Sequence, residues 1–118
     1  MHNFRELRIW KEAISVAKQV YIVSATFPSE EKYGLTSQIR RAVVSIASNI
    51  SEGAGRASNK EFAQFLTIAL GSAYETETQL VLAKEFEFIT DEKLNEVLNS
   101  LVPLQKMISS FREYLIKK

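Results

Sequence analysis

The sequence predicts an all-α protein: an antiparallel up-down-up-down four-helix bundle with a left-handed twist. Three observations carry the prediction. Apolar residues recur at steps of three and four in four separate stretches, and none alternates with the period of two that a strand requires. The breaks between stretches span fewer than ten residues, which sets consecutive helices antiparallel. The 118 residues are 46% apolar and 25% charged, an ordinary globular composition. A single domain of this size, residues 1–118, buries roughly 65% of its unfolded surface and needs no staple.

Residues 1–6 read as an arm leading into the first helix, expected at about residues 7–27. Two apolar series run along it: Leu7, Trp10, Ile14, Ala17 and Tyr21, and beside them Ile9, Ala13, Val16, Val20, Val23 and Phe27. Two adjacent seams mean a buried face wider than the stripe of a simple coiled coil. Pro28 disfavours the helical conformation at Phe27 and ends the element. The connection to Gly34 has room for one helical turn around Ser29-Glu30-Glu31-Lys32.

The second helix, about residues 35–52, places Leu35, Ile39, Ala42, Val43, Ile46 and Ile50 on one face. Gln38, Ser45, Asn49 and Glu52 form a narrow polar stripe beside that face, and Arg40 and Arg41 point to other sides. Gly53 and Gly55 are expected to close the helix through the left-handed conformation that glycine accepts.

Ser58-Asn59-Lys60-Glu61 has capping-box spacing and opens a third helix over residues 58–87. Phe62, Phe65, Leu66, Ala69, Ala73, Leu80 and Ala83 give it a core face. Gly71 sits mid-helix at a cost of about 1 kcal/mol relative to alanine, so the expectation there is a close approach of another backbone. Thr90-Asp91-Glu92 opens the fourth helix, residues 90–116, with an N-cap and two acids on the positive end of the dipole. Leu94, Val97, Leu101, Leu104, Ile108, Phe111 and Leu115 keep a three–four alternation through Pro103, where a kink is expected.

The residue types restrict the chemistry. There is no cysteine, and His2 is the only histidine, so thiolate chemistry, a catalytic triad, a zinc site and the Glu-x-x-His pairs of di-iron bundles all fail. The Arg-x-x-x-x-His motif of ribonuclease-type helical bundles fails with them. Glu75 and Glu77, two apart on a helix, diverge. The glycines lack the lysine and following Ser/Thr of a phosphate loop. The expectation is a protein without catalytic residues, metal or cofactor.

Two constellations remain. The stripe of Gln38, Ser45, Asn49 and Glu52 needs hydrogen-bond partners, and the third helix offers Gly71, Ser72 and Glu75. An inter-helix network that fixes register is the simpler reading, a ligand site the sharper one. Arg40 and Arg41, with Arg56 and Lys60 and with Arg5, Arg8 and Lys11, form a candidate basic surface for phosphates. The bland alternative is a solvated face of ordinary ion pairs. Residues 1–60 carry 9 Lys/Arg against 5 Asp/Glu, and residues 61–118 carry 6 against 9, a polarity able to orient binding or helix packing. Ile22 and Val44 are apolar on otherwise polar faces and, with the double seam, point to a subunit interface. The opening Met1–Arg8 has charges where a signal peptide would have its apolar core, and no apolar run reaches membrane-span length, so the expected location is the cytoplasm, with no membrane partner.

Several motifs match a known family. They are Phe4-x-x-Leu7-x-x-Trp10, Phe27-Pro28-x-x-Glu31-x-Tyr33-Gly34-Leu35-x-x-Gln38, Arg40-Arg41-Ala42, Ser45-Ile46-x-x-Asn49-Ile50-x-Glu52-Gly53 and Ala69-x-Gly71-Ser72-x-x-Glu75. The chain resembles, over essentially its whole length, the four-helix-bundle proteins encoded in intervening sequences of bacterial 23S rRNA genes, which carry a ribosomal-protein-like label. The accessory variability determinant of diversity-generating retroelements is similar in fold. The resemblance implies a homopentameric ring and, from the retroelement relative, a basic surface for nucleic acid and a protein partner. The basic family positions map to Arg40, Arg41 and Arg56. The leading expectation is a non-enzymatic oligomer that binds RNA or DNA backbone through arginines repeated around a ring. The rival is a protein-interaction scaffold without nucleic-acid affinity.

Overall fold

The computed structural model describes residues 2–117. Its four helices are α1 (Arg8–Ser24), α2 (Leu35–Ala54), α3 (Asn59–Glu85) and α4 (Asp91–Lys117), with no strand among the described residues. Single 3-10 turns, Phe4–Glu6 and Ser29–Glu31, precede α1 and α2. Each helix packs on its neighbours in sequence and α4 closes against α1; the α2–α3 pair is the most extensive. Every adjacent pair is antiparallel. Ser45 meets Ser72 and Gln38 meets Gln79 across α2–α3, while Gln19 meets Ser100 across α1–α4. The result is an up-down-up-down bundle of 45 × 24 × 20 Å.

The two seams of α1 take different roles. Ile9, Ala13, Val16, Val20 and Val23 are buried in the single core, whereas Trp10, Ile14 and Ala17 are half-buried against its edge. Helix α1 stops at Ser24, three residues short of the expected Phe27. The amides of Thr26 and Phe27 bond instead to Val23 and Ser24 three residues back, the tighter winding that precedes a proline.

The glycines behave differently from expectation. Neither Gly53 nor Gly55 adopts a positive φ. Gly53 lies inside α2, where a Cβ would stand 2.7 Å from both Phe62 Cδ1 and Phe65 Cβ; it is needed for space, not for a turn. Gly71 is exposed with nothing within 4 Å of a Cβ, so the close backbone approach expected there is not made. The left-handed residue is Glu87 (φ 65), just after α3. Phe88 N–H donates to the Ala83 carbonyl and Glu87 N–H to that of Lys84, a Schellman closure in which glycine usually stands. Beyond it the Lys84 ammonium lies 3.1 Å from Glu85 and 3.4 Å from Asp91, and these two carboxylates raise its pKa above the ordinary lysine value.

The helix starts are capped as their residue types dictate. Ser58 Oγ accepts from Glu61 N–H at 3.1 Å, but the Glu61 carboxylate takes the Ser58 hydroxyl proton and not the backbone amide expected. Thr90 Oγ1 accepts from Lys93 N–H. The first amide of α2, Leu35, donates to the Glu31 carboxylate of the preceding turn. The arm is docked: His2 N–H donates to the Ala54 carbonyl at 2.9 Å, and its ring packs edge-on against Phe62 and Phe111. That packing closes the core at the end of the bundle where α2 turns into α3.

Candidate nucleic-acid interface

Helix α2 presents its outer face between α1 and α3, and the two adjacent arginines straddle that face about 100° apart. Their environments differ. Arg40 turns toward α1: its guanidinium stacks 4.5 Å from the Tyr21 ring centroid, Nε donates to Ser24 Oγ at 2.9 Å, and Nη2 donates to the Tyr21 carbonyl. Sequence position turns both arginines away from the apolar centre; across the edge of the core, Arg40 clamps α1 to α2. Arg41 is exposed and makes none of these bonds.

Around the pair lies an open concavity of about 490 Å³, lined by Tyr21, Lys32, Tyr33, Thr36, Ser37, Arg40, Arg41 and Val44. In the sequence, Tyr33 stands out only through the family motif and Lys32 only as part of a turn, while Thr36 and Ser37 carry no motif. A usable signal is present, because Thr36 and Ser37 stand one helical turn before Arg40 and Arg41 and share their faces.

Arg56 and Lys60 do not join this cluster. They follow the far end of α2, roughly 22 Å along the helix axis from Arg41 at 1.5 Å per residue, and Arg56 stacks 4.7 Å from the Phe65 ring centroid. Antiparallel packing puts Arg5, Arg8 and Lys11 at that same end, and Arg8 shares a groove with Lys106, Met107 and Phe111. The expected single basic surface is therefore two clusters separated by the length of α2.

The ion pairs form elsewhere on the molecule. The salt bridges among the described residues join Lys84 to Glu85 and Asp91, Lys93 to Glu96, and Arg112 to Glu113, all on α3 and α4. None uses Lys32, Arg40, Arg41, Arg56 or Lys60. Glu75 lines the groove on the other side of Arg41 together with Gln38 and Ser45, but its carboxylate accepts from Gln79 Nε2.

The polar stripe divides in two. Asn49 Nδ2 donates to the Ser45 carbonyl and hydroxyl at 2.8 and 2.9 Å, and Ser72 Oγ donates to Ser45 Oγ at 2.9 Å. Further along, the buried Gln79 donates to Gln38 Oε1 at 3.4 Å and to Glu75 Oε2 at 3.3 Å. Glu52 is exposed and takes part in neither. These bonds tie α2 to α3 at two levels and so set their register. Gln79 escapes sequence reasoning because a glutamine at a core spacing gives no apolar signal. Glu75 faces α2 while Glu77 accepts from Gln105 of α4 at 2.8 Å, so the two carboxylates do not converge.

Among the described residues no group of three or more His, Cys, Asp or Glu is placed to hold a metal ion. No helix among them is long and apolar enough to cross a membrane.

Residues 5–110 match the model of a family described as 23S rRNA-intervening sequence protein. No curated protein matches the chain. Among solved structures, it is similar to a protein of unknown function from the S23 ribosomal protein family of Bacteroides thetaiotaomicron VPI-5482. The two share 27% identity over 88% of this chain and 97% of that one, with a TM-score of 0.82.

Proposed function

The chain belongs to the family of 23S rRNA-intervening sequence proteins, and from that premise we propose that it is a non-enzymatic, oligomeric bundle that binds RNA or DNA through its phosphates. The observation that carries the reading is that, among the described residues, no salt bridge engages Lys32, Arg40, Arg41, Arg56 or Lys60, while the salt bridges present lie on α3 and α4. Cations without carboxylate partners are free to displace the counterions condensed on a polyanion, and that release drives sequence-blind binding. Arg41 and Lys32 supply charge at one end of α2, Arg56 and Lys60 at the other. A strand lying along the helix meets both clusters.

One protomer offers few cations to a phosphate backbone, so assembly matters. A mostly apolar groove between α1 and α2, lined by Phe4, Trp10, Ile14, Ala17, Val44 and Ala47 with Ser48 and Ser51, supplies surface for a subunit interface, and Ile22 (73% exposed) adds an apolar side chain elsewhere on α1. In the homopentameric ring that the family resemblance implies, each cluster repeats five times and weak sites gain by avidity. This reading places the protein in the cytoplasm, where it meets nucleic acid. The same apolar groove is what favours the rival scaffold role, in which it receives a different protein.

Fluorescence anisotropy with labelled RNA at low salt tests the reading. Wild type binds, and Arg41→Glu and Arg56→Glu each weaken binding while leaving the fold intact. Binding that neither substitution affects contradicts it.

A further inference from the structure

Tyr33 is 89% exposed, an aromatic ring that the fold itself leaves almost uncovered. It stands in the turn before α2 with the Lys32 ammonium 5.5 Å from its centroid. The same concavity holds Arg41, the Thr36 and Ser37 hydroxyls and the apolar Val44. The carboxylates of that turn form no salt bridge with Lys32 or Arg41: Glu31 accepts from the Leu35 amide and Glu30 from the Ser29 hydroxyl. On the opposite wall Arg40 covers a face of Tyr21, which leaves Tyr33 as the open ring of the site.

Resting on the nucleic-acid reading above, we infer that this concavity takes one unpaired nucleotide of a single strand, its base stacked on Tyr33 and its phosphate held by Arg41 and Lys32. The chemistry selects this ligand class. A ring face without hydrogen-bonding groups recognises any base by stacking, and adjacent cations and hydroxyls recognise the phosphate. Away from its ends, a duplex has both faces of each base already stacked, so Tyr33 has nothing to receive along its length. A volume of about 490 Å³ falls in the range of roughly 300–1,000 Å³ usual for small-ligand sites. The site therefore discriminates single strand from duplex without reading sequence.

The test is anisotropy with two probes, a labelled oligouridine strand and a blunt RNA duplex of equal length, on wild type, Tyr33→Ala, Tyr33→Phe and Arg41→Glu. Tyr33 is on the surface, so its replacement leaves the core untouched. Tyr33→Ala is expected to lose roughly 5- to 150-fold in affinity for the strand, the range of one base–aromatic stack, with duplex binding unchanged. Tyr33→Phe keeps the ring and retains strand binding. Arg41→Glu weakens both probes. If Arg41→Glu weakens binding while Tyr33→Ala changes nothing, or changes both probes alike, the phosphate reading stands and the stacking site is overturned. If wild type binds neither probe, both fall. Competition with uridine monophosphate separates the two sources of a nucleotide. Displacement of the strand only at large molar excess fits a strand site, and displacement at equal concentration assigns the site to free nucleotides and overturns the inference.

Discussion

Gly53 on α2 and Phe62 on α3 approach so closely that a Cβ at position 53 would lie 2.7 Å from the ring carbon Cδ1. Phe62 is 1% exposed and itself packed edge-on against Phe111, so the ring has nowhere to go. Alanine brings about 1 kcal/mol of helix propensity over glycine, but overpacking a filled core costs about 1–3 kcal/mol. Gly53→Ala is therefore expected to lower stability. Gly71→Ala meets open space and is expected to raise it by about 0.5–1 kcal/mol. Thermal unfolding of the two variants checks the opposite signs.

Glu87 holds a left-handed backbone, a conformation that costs a side-chain-bearing residue about 1–2 kcal/mol. Glycine removes that cost and gives back part of it as unfolded-chain entropy. Glu87→Gly should stabilise by about 0.5–1 kcal/mol, read as a higher denaturant midpoint with an unchanged slope.

Gln79 is 5% exposed and its Oε1 is buried without a partner. An orphaned acceptor costs about 1–3 kcal/mol. Gln79→Met keeps the shape and discards the orphan but also gives up the 3.4 and 3.3 Å bonds to the exposed Gln38 and Glu75, so it is expected to stay within about 1 kcal/mol of wild type. Gln105→Met is the control: it breaks the 2.8 Å bond to Glu77 and is expected to cost about 1 kcal/mol. Denaturant titration of both compares a glutamine whose orphaned oxygen offsets its bonds with one that carries no such cost.

Arg40 and Arg41 are expected to part in the same assay. Arg40→Ala removes the hydrogen bond to Ser24, which is 2% exposed, and the stack on Tyr21, a loss of about 1 kcal/mol. Arg41→Ala, on the surface, stays within about 0.5 kcal/mol of wild type. Charge reversal at Arg41 thus reports on binding alone, whereas at Arg40 it also loosens α1 from α2.

The three–four spacing of Leu94, Val97, Leu101 and Leu104, or of Ile39, Val43, Ile46 and Ile50, determines which face of a helix is buried, and every one of these residues is in the core. Local rules also locate Ser58 and Thr90 as caps, because a cap involves residues three apart. Features decided by a partner distant in sequence are not legible in this way. Gly53 is explained by Phe62 across the α2–α3 turn, and Arg40 by Ser24 and Tyr21 on another helix. Gln79 is buried because α2 presents Gln38 opposite it. The candidate site divides the same way. Arg40, Arg41, Arg56 and Lys60 are visible as cations, but their separation into two clusters follows from the length of α2.

The salt dependence of nucleic-acid binding tests the central claim most directly. Measured with a single-stranded RNA over increasing salt, the logarithm of the wild-type affinity should fall linearly with the logarithm of salt concentration. Arg41→Glu should bind more weakly, with a slope shallower by about 0.7 for each phosphate it no longer neutralises. No binding at low salt, or an affinity indifferent to salt, would contradict the phosphate reading and leave the bundle as a scaffold for another protein.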